Sequence, residues 1–455
     1  MASDSGTSSL LTRRAALAAG WTAAGAGAMA ALWPRVPRSR VGIPPGRVVV
    51  EYWEKWTGPE GDAMQRVVDG FNASQDRIFV RRTAVSEIGT KAMVAIGGGD
   101  PPDVCGVFSY HVPQYAQSGA VIPVEQFGGI DPETYLPSVR RLLSHEGRLI
   151  AGVTTIYTLA LYRNRSLFRA AGLDPDAPPA TLDELDSLSR RLTSHQSDGT
   201  IERAGFLPNL PSWWPYTWPI LFGSTLYDPA TNRSDFDQPA CIEAYEWVRR
   251  FPVALGEQAS RAFGTAADRS YHSPNDPFIS GRVAMIAQGP WLANFINRYA
   301  PGLDYAASAL PVHAPLLDPA HPLGMVEADV LVIPREARHP EAAFEFVRHT
   351  QRPEVHEQLA TDHTKGSALK RCSEAFLSRH PNRSVRVHDA IARSERACIL
   401  PQTPVWKSYA HLTEGVFDAA WKGDDVAALC SAVHQRVQGM LDRELTLRRK
   451  REAAS

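Results

Sequence analysis

From Val48 to Phe108 the chain changes its hydrophobic period in a fixed order, and that order restricts the fold more than any other feature. "VVVEYW" (48–53) begins as a continuous apolar, β-branched run, the pattern of a strand covered on both faces. Gly58-Pro59-Glu60 then sets a proline in the first turn of a helix and an acid beside its positive end. Met64, Val67, Val68 and Phe71 follow at helical spacing. "IFVRRTAV" (78–85) predicts a second strand, "KAMVAIGGG" (91–99) a helix stopped by glycine, and "PPDVCGVF" (101–108) a third strand. This alternation implies a parallel sheet with helices on both faces. Ligands of such sheets bind beyond the carboxyl ends of the strands. Trp53 and Trp56 stand at one such end, and Ser109, Tyr110 and His111 at another.

The remaining chain is too long for a single core: 455 residues imply two domains, or a domain pair with an interrupted chain. Roughly 160–325 changes character, with helices expected over 181–193, 239–251 and 283–298. Within it runs an aromatic, proline-rich loop, "LPNLPSWWPYTWPILFGSTLYD" (207–228). "VLVIPREARHPEAAFEFVRHT" (330–350) returns to strand and then helix. The last ninety residues carry two amphipathic helical stretches.

The first 45 residues read as an export leader and linker rather than fold. Arg13 and Arg14 precede an uncharged Ala/Gly-rich run from Ala15 to Trp33, with Ala28-Met29-Ala30 as a cleavage motif. The paired arginines point to the export route for prefolded proteins. The run is nearly long enough to cross a bilayer, so a cleaved leader and an uncleaved anchor both fit. Either way the globular part faces outward. A net charge of -1 supplies no field for nucleic acid. The five cysteines are widely spaced and form no zinc pattern. A Cys372–Cys398 disulfide and free buried thiols both remain open.

Enzyme motifs fail on inspection. His356-Glu357 begins a metalloprotease pattern whose second histidine is replaced by Ala360. Ser367-Ala368-Leu369-Lys370 lacks the partner motifs of the Ser/Lys acyl-transferring enzymes, and no G-x-S-x-G occurs. Gly97-Gly98-Gly99 follows a helix and lacks the Lys of a phosphate loop. No cofactor or metal motif is present, and no carboxylate pair stands out as glycosidase machinery.

Four stretches, taken in order, resemble the sugar-type extracellular solute-binding proteins of ABC importers, the family that includes maltose-binding protein. "GGGDPPDVCGVFSYHVPQYAQSGAVIPV" (97–124) resembles the family's Gly-Asp-x-Pro-Asp-Val strand and Tyr-Ala-x-x-Gly helix end. "YTLALYRNRSLFRAAGLDPDAPPATLDEL" (157–185) resembles its hinge strand with Tyr-Asn-x-x-Leu-Phe, Ala-Gly-Leu and Pro-x-Thr-x-x-Glu-Leu. "FISGRVAMIAQGPWLANFI" (278–296) resembles Phe-x-x-Gly-x-x-Ala-Met-x-x-x-Gly-Pro-Trp, and "PREARHPEAAFEFVRH" (334–349) the returning segment.

The resemblance implies an α/β, two-lobed periplasmic-binding-protein fold with a hinged interlobe cleft. One lobe is expected from 46–156 plus 327–360, the other from 157–326 plus 361–455, with crossings near Thr154–Thr158 and Glu327. It further implies an exported, monomeric receptor that captures a mono- or oligosaccharide and delivers it to the membrane permease of an ABC importer. Aromatic rings cover the apolar C–H faces of a pyranose, and carboxylates, amides and arginine bond its hydroxyls. On that basis the ligand-binding set is Trp53, Glu54, Trp56, Tyr110, His111, Tyr157, Trp213, Trp214, Tyr216, Trp291, Glu327 and Trp406. Trp291 takes the family's stacking position in Gly-Pro-Trp, and Lys55 stands beside Glu54 as a further hydroxyl-bonding group.

Two departures bear on specificity. The returning crossing, where relatives often have a Gly-Gly pair, reads Gly324-Met325-Val326-Glu327-Ala328-Asp329, and the family's Gly-x-x-Pro is replaced by "TKGSALK". A phosphorylated polyol or a peptide in the same fold, an exported glycan-active enzyme, and a sensory partner of a membrane receptor are the competing readings. Clustered arginine would favour phosphate, and Arg163 and Arg165 are the arginines near the hinge.

Overall fold

The structure is a computed structural model, and it describes residues 42–453. The paired arginines, the apolar run and the cleavage motif lie outside the described residues. Among the described residues, 46–453 belong to one compact unit. Among the described residues no helix is long and apolar enough to cross a membrane.

The opening alternation folds as its periods dictate. Val48–Glu54, Ile78–Ala84 and Val104–Phe108 are strands, and the first lies parallel to both others. Between them run helices Gly58–Ser74 and Ile88–Gly97, the former with proline in its first turn. The sheet is mixed rather than parallel throughout. A long strand, Gly324–Pro334, lies antiparallel to Val104–Phe108 on one side and to Gly152–Thr158 on the other. It arrives from the second half of the chain, so it enters the sheet against the direction of the strands made locally.

Two large apolar cores result. Val50, Tyr52, Val68 and Phe346 are members of the first; Tyr162, Trp218, Trp247 and Phe278 belong to the second. Along the strand Gly152–Thr158, Ile156 belongs to the first core and Tyr157 to the second. Along Gly324–Pro334, Met325 belongs to the second and Val326 to the first. The chain therefore passes between cores on each of two strands that are paired to each other. Ala368, Leu369 and Ala392 join the first core, although the segment after 361 was expected wholly in the second lobe. Bridges from Leu369 to Tyr135 and from Gly366 to Ile156 hold that segment there.

The second core is built on a three-stranded antiparallel sheet, with Ala160–Asn164 between Met285–Gln288 and Tyr305–Ala309. The helix expected over 283–298 is thus a strand followed by a shorter helix, Leu292–Tyr299. A short apolar run is compatible with either period, and Gly289-Pro290 breaks the chain where the two meet. Helix Leu182–Leu192 begins with a capping box: Thr181 Oγ1 accepts from Glu184 N (3.2 Å) and the Glu184 carboxylate accepts from Thr181 N (3.4 Å). Helices Trp406–Lys422 and Val426–Glu452 close the chain. Side chains also bridge the halves away from the crossings. Lys407 donates to Thr90 Oγ1 (3.1 Å), Gln117 to Glu444 (2.6 Å), and Arg448 pairs with Glu146 (2.7 Å). All five cysteines are free; Cys398 Sγ donates instead to the Gly324 carbonyl (3.2 Å).

Candidate functional site

The two crossing strands form the floor of the site. Their register pairs Glu327 with Tyr157 and Asp329 with Thr155, and both strands are buried along their whole length. Ser109, just beyond the end of Val104–Phe108, donates its hydroxyl to Glu327 Oε1. Glu327 is 0% exposed, and its Oε2 has no hydrogen-bond partner. Burial pushes its carboxyl up to about 8; the bonds from Ser109 and the Ala328 N–H oppose the shift, and the charge of Asp329 adds to it. The same carboxylate, after burial itself, raises the hydroxyls of Tyr110, Tyr157 and Tyr216. Of the three, Tyr157 is the direct partner of Glu327 in the ladder.

Asp329 behaves oppositely. Lys365 Nζ lies 2.7 Å from its Oδ2, which also accepts from Thr155 Oγ1 at 2.7 Å, and Lys55 Nζ lies 3.2 Å from its Oδ1. Burial alone would raise this carboxyl, but the two ammonium groups hold it well below the usual range. Lys55 is also 3.6 Å from Glu54 and donates to the Val107 carbonyl.

The walls are aromatic. Trp291 meets Tyr157 edge-on, with centroids 5.2 Å apart and planes at 76°, and lies 5.9 Å from Trp214. Gly289 makes that pose possible, because a Cβ there would come within 2.2 Å of the Trp291 ring. Trp214 meets Trp213, which is 38% exposed. Tyr216 packs edge-on against Trp406 at 5.2 Å, and Tyr110 stacks on Phe108 at 5.3 Å. The Trp291 and Trp56 ring N–H groups are buried without partners.

The structure brings Tyr110, Tyr157, Trp214, Tyr216, Trp291 and Glu327 together and gives the other expected residues different surroundings. Trp53 alternates to the opposite face of its strand and packs against the first core. Glu54 turns inward, accepting from the Tyr52 hydroxyl and from the N–H groups of Lys55 (2.7 Å) and Trp56 (3.2 Å). It fits because Gly106 opposite has no side chain; a Cβ there would stand 2.3 Å from Glu54 Oε2. His111 is buried between Tyr110 and Tyr115, and burial lowers it to about 4. Trp406 is buried behind Tyr216 and Tyr409. Trp56 has lysine rather than open space over its ring: Lys365 Nζ is 4.2 Å from the centroid and Lys55 Nζ 5.2 Å. Lys365 was not foreseen. Its one sequence signal was "TKGSALK" standing where the family has Gly-x-x-Pro. A cavity of about 1240 Å³, lined by Leu149, Ile220, Leu323 and Cys398 among others, shares none of the residues of this cluster.

A cluster of aromatic rings around a buried carboxyl group, with orphaned indole N–H groups, suits a compact, polyhydroxylated solute. The chain is similar to several known proteins. The sn-glycerol-3-phosphate-binding periplasmic protein UgpB of Yersinia pestis is 27% identical over 153 residues, which is 31% of this chain and 35% of that protein. The chain thus spans about a third of the length of the curated relatives it matches. The mannotriose complex of CpMnBP1 superposes with a TM-score of 0.76 at 24% identity, over 86% of this chain and 100% of the other. The sugar-binding protein MalE of Xanthomonas citri does so with a TM-score of 0.71 at 18% identity, over 88% and 99%. At these identities the likeness establishes the fold: two α/β lobes joined by a hinge, with a cleft between them. The family model described as bacterial extracellular solute-binding protein matches residues 55–357. With that match and the two crossing strands beneath an aromatic cleft, the chain belongs to the bacterial extracellular solute-binding proteins.

Proposed function

We propose that this protein is an exported receptor that captures a neutral carbohydrate between its lobes and hands it to the permease of an ABC importer, acting as a monomer and without catalysis. One lobe comprises about 46–156 plus 326–360, and the other most of the remainder. The observation that carries this reading is the pairing of Glu327 with Tyr157 across the crossing strands, beneath Trp291 and beside Tyr110 and Tyr216. Rings cover sugar faces, and the orphaned Glu327 Oε2 and Trp291 Nε1 bond sugar hydroxyls. Capture closes the lobes because the solute touches both, so the closed state gains affinity that the open state lacks.

The charge inventory favours a neutral solute. Lys55 and Lys365 are both spent on Asp329, and Glu327 has a partly protonated carboxyl at neutral pH. It also argues against glycan hydrolysis, which needs a second free carboxylate; Asp329 is ion-paired with Lys55 and Lys365, and its Oδ2 accepts from Thr155. The second reading is sn-glycerol 3-phosphate, favoured by the similarity to UgpB. Calorimetric titration with neutral saccharides and with sn-glycerol 3-phosphate separates the two. Heat with a saccharide alone supports the proposal, and heat with the phosphate alone replaces it. Residues 1–45 serve export in this reading, as a leader or as an anchor.

A further inference from the structure

Lys365 lies among three of the rings expected to bind the solute. Its ammonium is 4.2 Å from the Trp56 centroid, 5.8 Å from that of Trp291 and 6.0 Å from that of Tyr157. Carbon atoms stacked on a ring sit about 3.5–4.0 Å from it, so the ammonium holds the layer over Trp56 that a sugar ring needs. Three ring centroids within about 6 Å of one nitrogen leave no room for a pyranose beside it.

The lysine is fixed rather than mobile. Its side chain is 1% exposed and paired with Asp329. Its backbone is held on each side. The Lys365 carbonyl lies 3.2 Å from His380 Nε2, and Gly366 N donates to the Ile156 carbonyl (3.1 Å). Asn382 Nδ2 donates to both the Thr364 carbonyl (3.2 Å) and the Pro290 carbonyl (3.1 Å), tying this loop to the Gly-Pro-Trp turn beneath Trp291. Thr364 adopts a left-handed conformation (φ 56°), and its Oγ1 also donates to Pro290 O (3.3 Å). Ordinary cation–π attraction adds to the ion pair.

We propose that Lys365 is the specificity wall of the cleft: it fills the aromatic subsite of Trp56 from within, so the bound saccharide ends against it and longer chains gain no affinity. This inference rests on the carbohydrate reading above. The wall acts by its volume, because the ammonium itself is 1% exposed and paired with Asp329. It makes Trp56 a structural ring, buttressed by Phe108 edge-on at 5.8 Å, and leaves stacking to Trp291 and Trp214.

The test compares wild type, Lys365→Ala and Lys365→Met by calorimetry against mono-, di-, tri- and tetrasaccharides of the series that binds. Lys55 still neutralises Asp329 in both variants, and an Asp329→Asn/Lys365→Ala double variant covers the case in which the single one does not fold. Wild type is expected to reach its full affinity at a short chain length. Lys365→Ala should bind the next longer oligomer at least ten-fold tighter than the shorter one, while Lys365→Met, which keeps the volume, retains the wild-type preference. A folded Lys365→Ala protein with unchanged length preference overturns the wall. If no saccharide binds the wild type, the carbohydrate reading falls, and the wall is judged by acrylamide quenching of tryptophan fluorescence. Lys365→Ala must then expose more fluorescence than Lys365→Met, and equal quenching overturns it.

Discussion

Glu327 and Tyr157 stand directly opposite each other in the antiparallel ladder joining the two crossing strands, one residue from the points where the chain changes core. A buried carboxyl group and a buried phenol thus meet at the pivot of the molecule. Any change in the angle between lobes bends the backbone that carries them, which couples the chemistry of the floor to the hinge.

The first consequence is a pH dependence of stability. The Glu327 carboxyl rises from an ordinary value to about 8 on folding, so between those values the folded state holds a proton that the unfolded state has released. Stability from this group is complete below the ordinary carboxyl range and is lost as pH rises toward about 8. Asp329 has the opposite sign, its contribution disappearing as pH falls through and below the ordinary carboxyl range. Urea denaturation from about pH 5 to pH 9 should show wild type falling relative to Glu327→Gln, which cannot ionise. A constant gap between the two would contradict the assignment.

Glycine substitutions separate close packing from helix propensity. Gly106→Ala drives a methyl into the Glu54 carboxylate and should cost about 1–3 kcal/mol by overpacking. Gly70 lies inside helix Gly58–Ser74 with nothing within 4 Å of the added carbon. Gly70→Ala should therefore stabilise by about 0.5–1 kcal/mol. Chemical denaturation of both variants reads the two signs directly.

Much of this was legible in sequence, for identifiable reasons. The opening strands and helices declared themselves because period, proline and glycine signals agreed. Gly-Pro-Trp located Trp291, and the resemblance of the stretch beginning at Tyr157 to the family's hinge strand located Tyr157. Met285–Gln288 was misread because its apolar run is too short to fix a period. Glu54 was read as facing the ligand, yet strand alternation and the bare face of Gly106 turn it inward. Lys365 was invisible because it sits in a polar segment, and its meaning comes from an ion pair with Asp329 that only the tertiary fold creates.

Trp291 and Trp213 should respond differently to truncation. Trp291 is buried between Tyr157 and Trp214, so Trp291→Ala should cost about 3–5 kcal/mol of stability and abolish solute binding. Trp213 is 38% exposed, so Trp213→Ala should change stability by less than about 0.5 kcal/mol. Thermal melting and titration calorimetry on the two proteins check this.

Lys407 and Thr90 bridge the halves of the molecule. The bond is at the surface, so its loss should cost only about 0.2–1 kcal/mol of closed-state stability. Lys407→Ala should weaken solute affinity a few-fold and leave the unfolding midpoint of the ligand-free protein nearly unchanged. Small-angle scattering should show a larger radius of gyration at subsaturating solute.

The measurement nearest the central claim is thermal melting of the protein against neutral mono-, di- and oligosaccharides, sn-glycerol 3-phosphate and short peptides, with Trp291→Ala alongside. A solute at one hundred times its dissociation constant adds about 2.7 kcal/mol, enough for a clear rise in melting temperature. A carbohydrate receptor shows such a rise with a neutral saccharide, and the rise is absent in Trp291→Ala. A rise with sn-glycerol 3-phosphate or a peptide alone, or no rise with any saccharide, would contradict it.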